Sequence, residues 1–373
     1  ESHVVQTPAW RACVRFLFGT DALAAYGFAF PITTALTSIS LGIGIGTSSV
    51  IARSVGRGES GLVKRLATDA LTLTFLSCVF LALLLLLVAD DLFALLGATG
   101  DIKAMATVYL HIWIIGYFSI AVSQVCGNAI RANGNPKVPG MIMLSGSVLN
   151  IILDPILIFG WGFIPALGFE GAAWAVAISR FCSLVVALFW IYAKERLLLL
   201  SRVSIKQVWQ SWRAILHVGI PTIATQSIGP ISISIIVSLL AVYGPEAVAG
   251  FNIAARLEAL LIIPLFALSG SIGPFIGQNW GAKLYPRVRL ATLQAYGFSI
   301  FWGLIVALVF FLIGNPLAAL FDDNPKVIQT ATDYLYIVPI SYAGWGMLMM
   351  ASASFNALGK PLPSTALSVV RML

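Results

Sequence analysis

The chain has 373 residues, of which 59% are hydrophobic and 10% charged, with a mean hydropathy of +0.94 and a formal net charge of +7. Soluble domains carry roughly 25% charged residues, so this composition excludes an ordinary water-soluble globule. It reads as a polytopic membrane protein, and the excess of Lys and Arg reads as topology rather than as a nucleic-acid surface.

A helix needs about 20 apolar residues to cross a hydrocarbon core of about 30 Å. Runs of that kind are predicted at 22–52, 66–89, 102–130, 138–160, 171–193, 214–243, 247–277, 290–314 and 327–358, with a tenth beginning after Pro363. Residues 1–18 stand apart. They carry Glu1, His3, Arg11 and Arg15, lack the continuous apolar stretch of a cleavable signal peptide, and read as unable to cross a membrane. Cys13, Cys78, Cys126 and Cys182 are scattered, and they read as packing residues rather than a disulfide framework or metal site.

Charge placement gives the orientation. One set of alternate loops holds Arg53, Arg57, Lys64, Arg65, Arg131, Lys137, Lys194, Arg196, Arg202, Lys206, Arg213, Lys283, Arg287, Arg289 and Lys360, whereas the other holds only Lys103 and Lys326. Cytoplasmic loops retain positive charge, so the first set is cytoplasmic.

The chain also repeats itself. Shifted by 225 residues, DALAAYGFA (21–29) meets EAVAGFNIA (246–254), ATVYLHIWIIGY (106–117) meets ATDYLYIVPISY (331–342), and ANGNP (132–136) meets ALGKP (357–361), without a gap. Six spans separate the two starts, so the halves enter the membrane in the same direction and are expected to form parallel bundles about a pseudo-twofold along the membrane normal. The expected fold is all-α: an atypical segment 1–18, a bundle 19–193, a cytoplasmic linker 194–213 whose WQSWR is read as a short helix along the interface, and a bundle 214–373. Six helices per half are implied. The first helix of the first half and the last helices of the second are expected to be missing.

The run LNIILDPILIF (149–159) places an acid and a proline inside a span. An intramembrane carboxylate costs several kcal/mol unless it is paired, and it marks a functional site by default. Asn150 and Asp154 are four residues apart and share one helical face. Pro155 cannot donate to the carbonyl of Ile151, which frees an oxygen beside the carboxylate and predicts a kink. These oxygens suit sodium, and equally a proton on the carboxyl. At 1.5 Å per residue Asp154 lies ~24 Å from Val138 at the cytoplasmic end. The competing reading is a purely structural hydrogen bond to a neighbouring helix.

Seven motifs occur in order: GTDALAAYGFAFP (19–31), GIGIGTSSVIARSVGRGE (42–59), NAIRANGNPKVP (128–139), LNIILDPILIFGWG (149–162), GFEGAAWAVAISR (168–180), AARLE (254–258) and GQNWGAK (277–283). Together they resemble the multidrug and toxic compound extrusion (MATE) transporters, in the prokaryotic branch related to DNA-damage-inducible transporters. The resemblance implies a secondary active exporter of lipophilic, often cationic compounds. Its coupling site would be Asp154 and Asn150 with an aspartate on the first helix, for which residues 1–18 offer no counterpart. No cofactor is implied beyond a coupling sodium ion or proton. The expected partners are small-molecule drugs or toxic compounds and the inner-membrane bilayer, with the chain acting as a monomer.

Gln124, Asn128, Gln226, Arg256 and Glu258 are further candidates for a cavity lining, although polar contacts between helices explain them too. Arg180 reads as snorkelling to headgroups, His111 as a packing or hydrogen-bonding position, and GIGIGTSS (42–49) as a surface for close helix packing. The rival functions are a flippase for lipid-linked sugars or polysaccharide, which needs several basic residues in its cavity, and a fragment that no longer transports. An intramembrane enzyme lacks a converging catalytic cluster.

Overall fold

A computed structural model describes residues 7–161, 165–199 and 204–372. These form the helices α1 (Thr7–Gly56), α2 (Ser60–Leu95), α3 (Gly100–Ala132), α4 (Lys137–Phe159), α5 (Gly168–Phe189), α6 (Ile205–Ala241), α7 (Pro245–Leu261), α8 (Ile263–Gly281), α9 (Tyr285–Ala319), α10 (Pro325–Ile337), α11 (Tyr342–Ala357) and α12 (Pro361–Met372). Among the described residues eight spans are long and apolar enough to cross a bilayer, and the bent pair α7–α8 supplies a ninth. Each overlaps one of the runs read from the sequence. Outer faces such as Phe80, Leu83 and Leu87 on α2 and Phe301, Leu304 and Leu308 on α9 are exposed and apolar, as hydrocarbon requires.

Two helices begin earlier than expected. α1 is helical from Thr7, although its membrane-crossing part starts at Gly27; no glycine or proline between Ala9 and Phe18 stops it. WQSWR (209–213) is not a separate interfacial helix but part of the first turns of α6. The helix is opened by a capping box, in which Gln207 accepts from the backbone of Ser204, and is anchored where Trp212 Nε1 donates to the Asp69 carbonyl at 2.9 Å.

The internal repeat is visible where α1 crosses α8. Gly56 and Gly281 occupy equivalent positions, as do Arg53 and Gln278. A Cβ at Gly56 would strike the Gln278 carbonyl, and one at Gly281 the Arg53 carbonyl. The polar ends reciprocate: Gln278 Nε2 donates to the Ala132 carbonyl at 2.9 Å, and Arg53 Nη1 to the Leu358 carbonyl at 3.3 Å. Ala132 is the last residue of α3 and Leu358 the first after α11, and each helix end is followed by a left-handed glycine, Gly134 (φ 106°) and Gly359 (φ 74°). Ser49 Oγ adds a bond to the Asn356 carbonyl. This crossing joins the two halves at their basic end. GIGIGTSS is a packing surface: Gly42 and Gly46 meet α6 at Ile223 and Ile215, and Gly44 meets Asn128 of α3.

Within the membrane the halves differ. α1 passes Thr37 unbroken, whereas the equivalent Ile262 separates α7 from α8 with a 47° bend. Pro264 has no N–H, and Leu265 bonds the Ile262 carbonyl instead of that of Leu261. The freed Leu261 oxygen accepts from Trp302 Nε1 at 2.7 Å. Likewise α3 is continuous through Ile114, while the equivalent Pro339 lies in a 3-10 turn, Val338–Ser341, between α10 and α11. Both breaks belong to one cluster that includes Ile262, Phe310, Val338 and Tyr342.

Candidate functional site

A cavity of about 620 Å³ lies between the halves. α1 supplies Leu41, Ile45 and Ser48, α3 supplies Gln124, Asn128 and Arg131, α6 supplies Thr225 and Gln226, and α8 and α11 supply Phe266, Ser269, Trp345 and Ser352. Phe266 and Trp345 meet edge to face at 5.6 Å. Gly270 and Gly273 on α8 keep that wall shallow. A second, mostly apolar cavity of about 340 Å³ lies between the end of α3 and α8 and shares Arg131 and Pro274 with the first.

The residues singled out from the sequence divide into three groups. Gln124, Asn128 and Gln226 are on the cavity wall, where the Asn128 amide donates to the Gln124 carbonyl at 3.0 Å. Asn150 and Asp154 are half-buried on α4, and the Asn150 amide donates to Asp154 Oδ1 at 3.3 Å. At 100° per residue they lie within about 20° of Met143 around the helix. Met143 lines the cavity, so the pair continues that face two and three turns further along α4. α4 runs on through Pro155 to Phe159.

Arg256 and Glu258 form the third group and are not on the cavity wall. Arg256 is exposed, and Glu258 accepts from the Tyr334 hydroxyl at 2.8 Å, tying α7 to α10 beside the helix breaks. His111 Nε2 is buried without a hydrogen-bond partner among the described residues.

Arg131 escaped the sequence reading, which placed it with the loop cations. It occupies the last turn of α3 and lines both cavities. The signal that could have found it is its spacing: Gln124, Asn128 and Arg131 fall at i, i+4 and i+7, on one helical face.

The MatE family model matches residues 12–156 and 219–373. A protein of Shewanella oneidensis described as an FAD transporter is 32% identical over 355 residues, covering 95% of this chain and 78% of that protein. A probable multidrug resistance protein NorM of Thermotoga maritima is 25% identical, covering 95% of this chain and 76% of its own length. Among solved structures, a mutant of the Vibrio cholerae MATE transporter VcmN superposes with a TM-score of 0.91 at 31% identity, over 98% of this chain and 82% of the other.

Proposed function

Because the chain belongs to the MatE family, we propose that it exports small organic molecules by alternating access, driven by entry of sodium or a proton at Asp154 and Asn150. It is a multi-pass protein of the cell inner membrane and a transporter, not an enzyme. The observation that carries the coupling assignment is the Asn150–Asp154 hydrogen bond on the face of α4 that Met143 opens to the cavity. The Asn150 amide can turn its oxygen toward a cation, so amide and carboxylate together can hold sodium; protonation of Asp154 instead turns an acceptor into a donor.

In this reading the bodies that rock are 19–193 and 214–373, joined by 194–213. In this reading the α1–α8 crossing, which lies among the loop cations assigned to the cytoplasm, is the contact that opens when the cavity faces in. A ligand shifts such an equilibrium only by its differential affinity for the two states. Coupling therefore requires that Asp154 bind its cation with different strength when the cavity faces in. Reconstituted in liposomes, Asp154→Asn is expected to abolish gradient-driven efflux; unchanged export would refute the assignment.

A second reading concerns the substrate. The Phe266–Trp345 wall opposite the amides of Gln124, Asn128 and Gln226 suits a flat heteroaromatic ring better than a purely aliphatic toxin. The Shewanella relative is described as an FAD transporter, which supports a flavin-like solute. Uptake of FAD and of ethidium into inverted vesicles would separate this reading from multidrug export: FAD transport without ethidium transport is its expected result.

A further inference from the structure

We propose that the central cavity binds an anionic organic ligand and that Arg131 anchors its phosphate. The inference rests on the reading of this cavity as the substrate site and adds the sign of the charge it takes. Arg131 is the one ionisable side chain among the described residues of the wall; the remaining polar lining is hydroxyl, amide and the Trp345 indole.

The guanidinium is incompletely satisfied. Its Nη2 donates to Asn128 Oδ1 at 3.2 Å, its Nε is buried without a partner, and it forms no ion pair among the described residues. A cation taken out of water without a counter-charge is held at a free-energy cost, which an arriving anion offsets. The planar fork has five N–H donors and matches two oxygens of a phosphate side by side.

Space for that anion comes from the other half of the protein. A Cβ at Gly270 of α8 would lie 3.6 Å from Arg131 Nη1, so the absence of a side chain there leaves the guanidinium accessible from the cavity. An organic cation would meet the same charge in a low-dielectric space with no acid on the wall to compensate. Asp154 lies off that wall. The fold thus separates a carboxylate for the coupling cation from a guanidinium for the transported anion.

The test is equilibrium binding to the purified chain in phosphatidylcholine nanodiscs with no ion gradient, so its failure leaves the Asp154 coupling assignment standing. Flavin mononucleotide and riboflavin share a ring and differ by one phosphate, and ethidium is a planar cation. Flavin mononucleotide is expected to bind at least tenfold more tightly than either. Arg131→Gln should remove that advantage while leaving riboflavin affinity unchanged, which also reports an intact cavity; Arg131→Lys should keep part of it. Wild-type affinity for flavin mononucleotide in Arg131→Gln, tighter binding of ethidium, or no binding of flavin mononucleotide overturns the proposal. A repeat with phosphatidylglycerol nanodiscs distinguishes the source of the phosphate. Equal affinity supports a soluble ligand, and loss of affinity in the wild type but not in Arg131→Gln gives the site to a lipid headgroup and overturns the soluble assignment.

Discussion

The two halves of this protein agree at the membrane edge and diverge in its middle. At the basic end Gly56 and Gly281 each receive a carbonyl from the other half, and Arg53 and Gln278 reach across to equivalent helix ends. In the interior α1 and α3 are continuous, whereas α7–α8 and α10–α11 are interrupted at Ile262 and at Val338–Ser341. A contact shared by both halves constrains both, because each is the other's partner across the axis. Away from the axis each half packs on itself, and one can break its helices without disturbing the crossing.

Disruption is expected to cost most at the crossing. Gly56→Leu and Gly281→Leu each push a side chain into backbone carbonyls that cannot rotate away, and each is expected to destabilise by about 1–3 kcal/mol. Thermal unfolding in detergent should show similar drops for the two; a large drop for one alone would show that the symmetry is only apparent.

The interior difference predicts unequal effects. Trp302→Phe leaves the Leu261 carbonyl without its donor and is expected to cost about 1–3 kcal/mol, read as a lowered melting temperature. Among the described residues the equivalent Ser77 bonds the Thr74 carbonyl of its own helix, so Ser77→Ala should stay within about 0.5 kcal/mol. Equal losses at the two positions would deny that Trp302 stabilises a break. A smaller effect is expected at Tyr334→Phe, which removes the hydroxyl from Glu258 beside the same breaks. A hydrogen bond to a charged group contributes about 1.5–3 kcal/mol, and water reaching the half-buried carboxylate would replace part of that.

Prolines show why the breaks were not legible in advance. Pro31, Pro155, Pro221, Pro230, Pro274 and Pro316 also lie within helices, and those helices continue. At Pro264 a donor on α9, 38 residues further along the chain, satisfies the carbonyl that the break releases. Proline permits a break; a partner from elsewhere decides whether the helix takes it. WQSWR was misread for a related reason. Its tryptophans look interfacial, yet Trp212 finds a carbonyl on α2 and the helix runs straight into the span.

Sequence alone determined what depends on period and counting: the spans, from apolar length; the basic end, from Lys and Arg; the repeat, from an ungapped register; and the Asn150–Asp154 pair, from a spacing of four. Each is a property of one helix or of the chain as a string. The tertiary structure decided where side chains at helix ends point and which freed backbone groups find donors. Arg131 follows two valid rules, as a cation near a basic loop and as the third member of a helical stripe with Gln124 and Asn128. Only the packing of α3 against α1 and α8 turned it from the membrane surface into the cavity.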